Sequence, residues 1–224
     1  MDLSPILISM KTAMTAIVIT FFAGIAVAYW VVNMKHERIK MVCDGILTLP
    51  LVLPPTVAGF FLLYIFGIKR PVGKLLLDFF GVKIAFSWWA TVLAAVVISF
   101  PLMYRSARGA FEQVDFNLLY AGRTLGMSEW SIFWRILIPN ALSGILSGGI
   151  LAFARGLGEF GATAMIAGNI AGKTRTLPLA VYSNVAAGDM HGAYQYVLIL
   201  VVISFFVVTG MNYVTYVFGK YGRR

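Results

Sequence analysis

The chain has 224 residues, of which 60% are hydrophobic and only 12% are charged. This composition excludes an ordinary soluble domain, in which about half of the residues are apolar, and it predicts an integral membrane protein embedded in a lipid bilayer. The formal net charge of +9 would suit a nucleic-acid-binding protein, but the basic residues are spread over several loops and form no stripe, so we expect no nucleic-acid partner.

The first predicted membrane span runs from about Thr12 to Val32, close to the roughly 20 residues that cross the hydrocarbon. A cleaved signal peptide is the alternative, because Ala26, Val27 and Ala28 resemble a cleavage site. Lys11 is the one basic residue before the span, and the apolar run continues beyond that site, which argues against cleavage. The basic residues that follow predict a cytoplasmic loop and an N-terminus outside: Lys35, Arg38 and Lys40.

The second predicted span, from about Gly45 to Phe66, contains Pro50, Pro54 and Pro55. Each proline breaks the helical hydrogen-bond ladder, and the bilayer tolerates such a break where the freed carbonyls contact protein or water. We therefore expect this helix to lie inside the bundle, as a packing kink, a functional break or both. A short amphipathic helix is predicted after it, over residues 72–80.

The third predicted span runs from about Ile84 to Tyr104, and the arginines after it predict a second cytoplasmic segment. The fourth span starts within residues 130–139 and continues to about Ala154. Small residues recur in it every four positions and predict a smooth face for a neighbouring helix: Gly144, Gly148, Ala152 and Gly156.

An outer turn is predicted over residues 168–178, followed by a segment, 177–187, that re-enters or skirts the membrane. Residues 168–174 are one residue short of a phosphate-binding P-loop and follow no strand, so we expect no nucleotide site there. The fifth span covers about Tyr194 to Phe218. The basic residues after it predict a cytoplasmic C-terminus: Lys220, Arg223 and Arg224.

The one long segment of mixed polarity, residues 115–139, lies between the third and fourth spans, and we call it the coupling loop. Asp115 and Ser128 are placed to cap two short helices, and Gly126 to end the first of them. Small side chains at two positions would allow a partner backbone to approach closely. An amphipathic helix lying on the bilayer is the alternative, which the acidic residues disfavour. The residues assigned to partner docking are Asp115, Tyr120, Ala121, Gly122, Gly126, Ser128, Glu129 and Pro139.

Arg155 and Glu159 lie one helical turn apart and can pair. An ionisable pair near the outer membrane boundary indicates a transport pathway or a plain interfacial ion pair, and both readings are open. The candidate pathway residues are Thr56, Ser99, Arg155, Glu159 and Thr163. His36 and His191 lie far apart, and no paired carboxylates occur in a span, so we expect no catalytic residue, metal or cofactor.

Five residues fall at the spacing of the coupling loop of ATP-binding-cassette (ABC) importer permeases, E-A-A-x3-G-x9-I-x-L-P. They are Ala121, Gly122, Gly126, Ile136 and Pro139. The departures from this pattern are Tyr120 at the Glu position, Gly122 at the second Ala and Ile138 at the Leu. Other segments resemble the permease subunit of molybdate ABC importers: residues 49–59, 86–88, 99–103, 151–163 and 174–178.

This resemblance covers about residues 12–218 and implies one all-α domain over residues 1–224, with the type I ABC importer permease fold. It implies about five transmembrane helices, a cytoplasmic coupling helix and a place in the cell membrane. It also implies a second copy of the chain, two cytoplasmic ATPase subunits and an extracytoplasmic oxyanion-binding protein. Transport of tungstate or sulfate by the same machine is the first alternative, a passive channel or membrane scaffold the second, and a membrane-embedded enzyme the third.

Overall fold

The computed structural model describes residues 2–221, apart from the side chains at 214, 215 and 217–221. Arg223 and Arg224, two of the predicted cytoplasmic markers, lie outside the described residues. Over residues 2–221 the chain forms α-helices, one π-helical segment (Phe133–Leu137) and no strand, which confirms the predicted all-α class. The helices are α1 (Ser4–Val32), α2 (Glu37–Val52), α3 (Pro55–Phe66), α4 (Pro71–Phe80), α5 (Trp88–Glu112), α6 (Phe116–Thr124), α7 (Glu129–Ile132), α8 (Ile138–Leu157), α9 (Gly161–Ala167), α10 (Leu177–Ala186) and α11 (Met190–Tyr221).

Among the described residues, four helical runs are long and apolar enough to cross a membrane: Ser4–Val32, Trp88–Glu112, Glu129–Leu157 and Met190–Tyr213. The bent pair α2–α3 makes a fifth if it is counted as one span. This agrees with the prediction of about five spans. The helices extend beyond most predicted boundaries, because charged residues such as Arg105 and Arg108 continue α5 instead of ending it.

The centre of the fold is the contact of α5 with α1 and α8. Small residues bring these helices together: a Cβ on Gly144 would lie 2.6 Å from the Cβ of Ala110, and one on Gly148 would lie 2.5 Å from the Cβ of Ser106. The predicted smooth face of the fourth span is thereby confirmed, and α5 is the helix that covers it. Buried Val31, Met103 and Tyr104 fill the space around this contact.

Hydroxyl pairs also join α1 to α5. The Thr12 and Thr91 hydroxyl oxygens are 2.8 Å apart, and those of Thr20 and Ser99 are 3.3 Å apart. All four residues are buried. In a lipid environment such side chains find their partners across helix contacts, so these pairs fix the register of the two helices.

The second predicted span is broken, as its prolines indicate. Helix α2 ends at Val52, α3 begins at Pro55, and the two axes are bent by 112°. The expectation that this span lies inside the bundle is wrong for α2 within one chain, since α2 buries none of its residues. Helix α3 does pack inward against α9, where a Cβ on Gly59 would lie 2.7 Å from the Cα of Ala162.

The segment between α9 and α10 is a compact loop. The Thr174 hydroxyl accepts a hydrogen bond from the backbone N–H of Ile170 at 3.0 Å and lies 3.4 Å from the carbonyl oxygen of Gly168. Helix α10 covers Leu177–Ala186, most of the segment predicted to re-enter or skirt the membrane. Its ten residues are fewer than the roughly 20 that cross the hydrocarbon.

Candidate functional site

The coupling loop folds into two short helices that meet at a glycine, as its sequence predicts. The Asp115 carboxylate accepts a hydrogen bond from the backbone N–H of Asn117 at 2.9 Å and caps α6. The Ser128 hydroxyl accepts one from the backbone N–H of Ser131 at 3.3 Å and caps α7. Gly126 has a φ of +75°, which L side chains rarely adopt.

An ion pair holds the two short helices against each other. The Arg123 guanidinium donates hydrogen bonds to both carboxylate oxygens of Glu129, at 2.7 and 3.1 Å. This bonding raises the pKa of Arg123 above its usual value, so the side chain stays charged. The pair is exposed, and water and salt screen such surface pairs so that they add little to stability. Its main effect is therefore on the geometry of the loop.

The two small residues of the loop face different ways. Ala121 is exposed and available to a partner, whereas Gly122 is buried. A Cβ on Gly122 would lie 2.9 Å from Cδ1 of Ile136 and 3.2 Å from Cγ1 of Ile132. The small size of Gly122 thus serves a contact within the chain, between α6 and the helical run that leads into α8.

The coupling loop exposes several large apolar side chains among its polar ones. Tyr120, which the sequence analysis assigned to docking, is exposed, and the adjacent Pro139 position on α8 is exposed as well. Sequence reasoning did not assign the other large apolar side chains that this loop exposes, Phe116, Leu118, Leu125, Trp130 and Trp134, of which Leu125 is 81% exposed. The sequence feature that could have identified these side chains is the presence of large apolar residues within a loop of mixed polarity. A patch of this kind indicates a protein-binding surface.

A second group of candidate residues meets where α8 ends and α9 begins. Arg155 and Glu159 pair as predicted, with 2.7 Å between Nη1 and Oε2. The Glu159 side chain is 1% exposed and that of Arg155 is 34% exposed. The other carboxylate oxygen of Glu159 accepts a hydrogen bond from the backbone N–H of Ala162 at 2.8 Å. Glu159 therefore joins α8 to the first turn of α9.

Two of the candidate hydroxyl residues lie close to this ion pair. Thr56 is exposed at the start of α3, and its backbone nitrogen would lie 3.2 Å from a Cβ on Gly161. Thr163 is buried in the first turn of α9. Ser99 lies on α5 and is buried beside Gly156 of α8. Its hydroxyl contacts that of Thr20 on α1, so it is engaged in a helix contact. The structure brings Thr56, Arg155, Glu159 and Thr163 into one region, with Ser99 next to it.

A network of charges connects α2 to α5 beside the coupling loop. Arg108 forms ion pairs with Asp44 and with Glu112, and Lys40 lies 3.4 Å from the same Glu112 carboxylate oxygen. The buried Tyr104 donates a hydrogen bond to Asp44 at 2.9 Å. Because α2 buries no residue of its own, this network is a principal attachment of α2 to the bundle.

No group of three or more His, Cys, Asp or Glu side chains is arranged to hold a metal ion within residues 2–221. The polar contacts found among these residues include ion pairs, helix caps and hydroxyl pairs.

Residues 16–216 match the family described as binding-protein-dependent transport system inner membrane component. The molybdenum transport system permease protein ModB of Escherichia coli (strain K12) is 44% identical over 200 residues, which are 89% of this chain and 87% of that protein. The putative molybdenum transport system permease protein YvgM of Bacillus subtilis (strain 168) is 40% identical over 205 residues, 92% of this chain and 90% of that protein.

Solved structures resemble the fold at much lower sequence identity. An inward-facing structure of the MetNI methionine ABC transporter aligns with a TM-score of 0.73 and 14% identity, over 96% of this chain and 94% of that one. A bacterial ABC transporter involved in alginate import aligns with a TM-score of 0.73 and 13% identity, over 95% of this chain and 78% of that one.

Proposed function

The chain belongs to the inner membrane components of binding-protein-dependent transport systems, and from this premise we propose that it is the permease through which an ABC importer carries molybdate. The observation that supports molybdate is the 44% identity, over 89% of this chain, to the molybdenum transport permease of E. coli. In this family a separate ATPase subunit hydrolyses ATP, and a binding protein works with the permease.

The coupling loop is the docking site for the ATPase subunit in this proposal. Its exposed apolar side chains give a partner a surface to bury, and Ala121 lies beside them without obstructing it. The caps at Asp115 and Ser128 stabilise the first turn of each short helix, and the Arg123–Glu129 ion pair joins the two helices. A rigid loop of this kind transmits a push from the ATPase to the spans on either side of it.

Two copies of the chain form the permease in this proposal, each bound to its own ATPase subunit. The exposed face of α2 supports a second copy, since α2 has no fully buried residue within its own chain and leaves large apolar side chains exposed, among them Met41, Ile46 and Val52. The binding protein docks on the opposite side of the membrane from the coupling loop, close to Thr56 and the Arg155–Glu159 pair.

Reconstituted transport tests the proposed substrate. The chain, its ATPase and its binding protein are incorporated into vesicles, and uptake of molybdate, tungstate and sulfate is compared with and without ATP. We expect uptake that needs both ATP and the binding protein and that favours molybdate. Equal uptake without ATP would identify a passive channel, and a preference for sulfate would reassign the substrate.

Orientation is tested through Cys43, the single cysteine of the chain. It lies half-buried on α2, near the charge network beside the coupling loop. In the proposed orientation, with the N-terminus outside and the loop cytoplasmic, a membrane-impermeant maleimide labels Cys43 in inverted vesicles and spares it in right-side-out cells. The reverse pattern would place the coupling loop on the outside and overturn the docking proposal.

A further inference from the structure

A polar groove lies between α5 and α8, at the end of these helices nearest the coupling loop. Its volume is about 490 Å³. Its lining combines one cation with hydroxyls, amides and small residues, among them Arg105, Gln113, Asn140, Ser143 and Ser147. Both walls belong to helices that are long and apolar enough to cross a membrane. Such a concentration of polar side chains is costly against lipid and is expected to face water or protein.

The cation of the groove is not neutralised. Arg105 is exposed, and it forms no ion pair or hydrogen bond with any residue in the described part of the chain. The nearby acidic groups are engaged elsewhere, since Asp44 and Glu112 both pair with Arg108. None of the described lining residues is acidic. The groove therefore carries a net positive potential, which raises the local concentration of anions.

The remaining polar side chains of the groove carry no charge. Ser143 is exposed, and its hydroxyl forms no hydrogen bond within the described residues. Ser147, half-buried one turn further along α8, donates its hydroxyl to the Ser143 carbonyl at 2.9 Å, and the Asn140 amide donates to the Ile136 carbonyl at 2.7 Å, so Ser143 is the free hydroxyl donor of α8 in the groove. The lining side of α5, from Arg105 to Gln113, extends over about 12 Å at the helical rise. A single guanidinium with neutral donors around it attracts an oxyanion and still releases it, which a pathway requires.

We propose that this groove is the segment of the oxyanion pathway next to the coupling loop, and that Arg105 draws the anion into it. This inference rests on the proposed function, because it names a place where the transported anion passes. It adds Arg105, Ser143 and Ser147 to the pathway and separates them from Arg155, whose charge is already paired with Glu159. Arg105 contributes long-range attraction, and the hydroxyls contribute short-range contacts.

Thiol labelling tests the groove without depending on transport. Single cysteines replace Ser143 or Ser147 in a Cys43→Ser background, within the complete complex in vesicles of neutral lipid. The rates of reaction with an anionic and a cationic methanethiosulfonate are then compared. We expect both reagents to react, the anionic one faster, and R105Q to reduce the ratio of the two rates by about tenfold. R135Q is the matched control, since Arg135 is exposed near the same end of the fourth span but does not line the groove.

Three further measurements make the result decisive. Molybdate should slow labelling at Ser147→Cys when Arg105 is present and not in R105Q. A cysteine at Val18, an exposed apolar position of α1, should react slowly with both reagents. Adding phosphatidylglycerol to the vesicles separates a free oxyanion from a lipid headgroup, because a headgroup held by Arg105 would abolish the preference for the anionic reagent.

The inference is overturned if neither reagent reaches the groove, if R105Q leaves the ratio unchanged, or if phosphatidylglycerol removes the preference. Failure of the proposed function gives a different result. In that case the wild-type complex takes up no molybdate, while the charge-dependent labelling of Ser143→Cys persists. When wild-type uptake is normal, R105Q should lower it severalfold and R105K should restore most of it.

Discussion

The carboxylate of Glu159 lies 2.7 Å from the guanidinium of Arg155 and at the same time caps the first turn of α9 through the backbone N–H of Ala162. The side chain of Glu159 is almost fully buried, whereas that of Arg155 is one-third exposed. Removing the arginine therefore leaves an uncompensated buried charge, which is more costly than removing both charges together.

This asymmetry predicts a specific order of stability in a double-mutant cycle. R155A should lower the free energy of unfolding more than the double variant R155A/E159Q does, because E159Q removes the buried charge while its amide oxygen can still accept from Ala162. We expect a coupling energy of about 1–2 kcal/mol, reduced by the partial exposure of Arg155. The measurement is thermal unfolding of the purified complex. If the effects of R155A and E159Q on the free energy of unfolding are additive, the ion pair contributes nothing to stability. A role in the pathway alone then accounts for the pair.

A tight contact between α3 and α9 predicts a second effect. A Cβ on Gly59 would lie 2.7 Å from the backbone Cα of Ala162, and backbone cannot move aside as a side chain can. G59A should therefore separate α3 from α9 and lower stability by about 1–3 kcal/mol. G45A is the matched control, because a Cβ on Gly45 meets nothing within 4 Å. Because Gly45 lies in the middle of α2, G45A should leave the stability unchanged or raise it slightly. Equal unfolding temperatures for the two variants would contradict this packing.

The sequence predicted well the features that follow from local chemistry. Asp115 and Ser128 are capping residues, and Gly126 suits a left-handed turn, so the coupling loop could be drawn from the sequence alone. The spacing of four residues between Arg155 and Glu159 was sufficient to predict their pairing, although Glu159 lies just beyond the end of α8. The prolines at the end of α2 predicted a break, because proline removes a backbone donor.

Features that depend on which elements meet in space were not predicted. Gly122 was interpreted as a docking surface, but only the fold shows that its face is turned to Ile132 and Ile136. Arg105 was interpreted only as a marker of orientation, since its distance to the hydroxyls of α8 depends on how α5 and α8 cross. A pattern within one segment contains no information on its neighbour.

The two small residues of the coupling loop should respond differently to substitution. A121W adds a large side chain to an exposed position and should leave the thermal stability of the chain unchanged, while it reduces ATPase binding and transport by about tenfold or more, because a bulky group holds the partner surface away. A121S is the matched control and should behave as the wild type. The measurement is the amount of ATPase that copurifies with each variant, together with transport per ATP hydrolysed.

G122A should instead disturb the loop from within, since its Cβ would lie 2.9 Å from the Ile136 side chain. Because the contact is with the flexible end of an isoleucine and alanine favours the helix over glycine, we expect the stability of the isolated permease to fall by no more than about 1 kcal/mol. Truncating the isoleucine in a double variant G122A/I136V should recover part of the loss. If A121W keeps full ATPase coupling, the exposed face of this loop is not the docking site. This conclusion does not depend on the result for G122A.

The attachment of α2 to α5 predicts the last effect. Arg108 pairs with both Asp44 and Glu112, and α2 has no buried residue to hold it in place otherwise. R108Q should therefore loosen α2 and leave the buried Tyr104 hydroxyl with Asp44 as its remaining partner. Limited trypsin digestion of the purified complex should then cut at residues 35–40 several times faster than in the wild type. R70Q is the control, because Arg70 contacts the ring of Tyr64 in a different loop. Unchanged cleavage in R108Q would mean that apolar contacts, and not the charge network, hold α2 on the bundle.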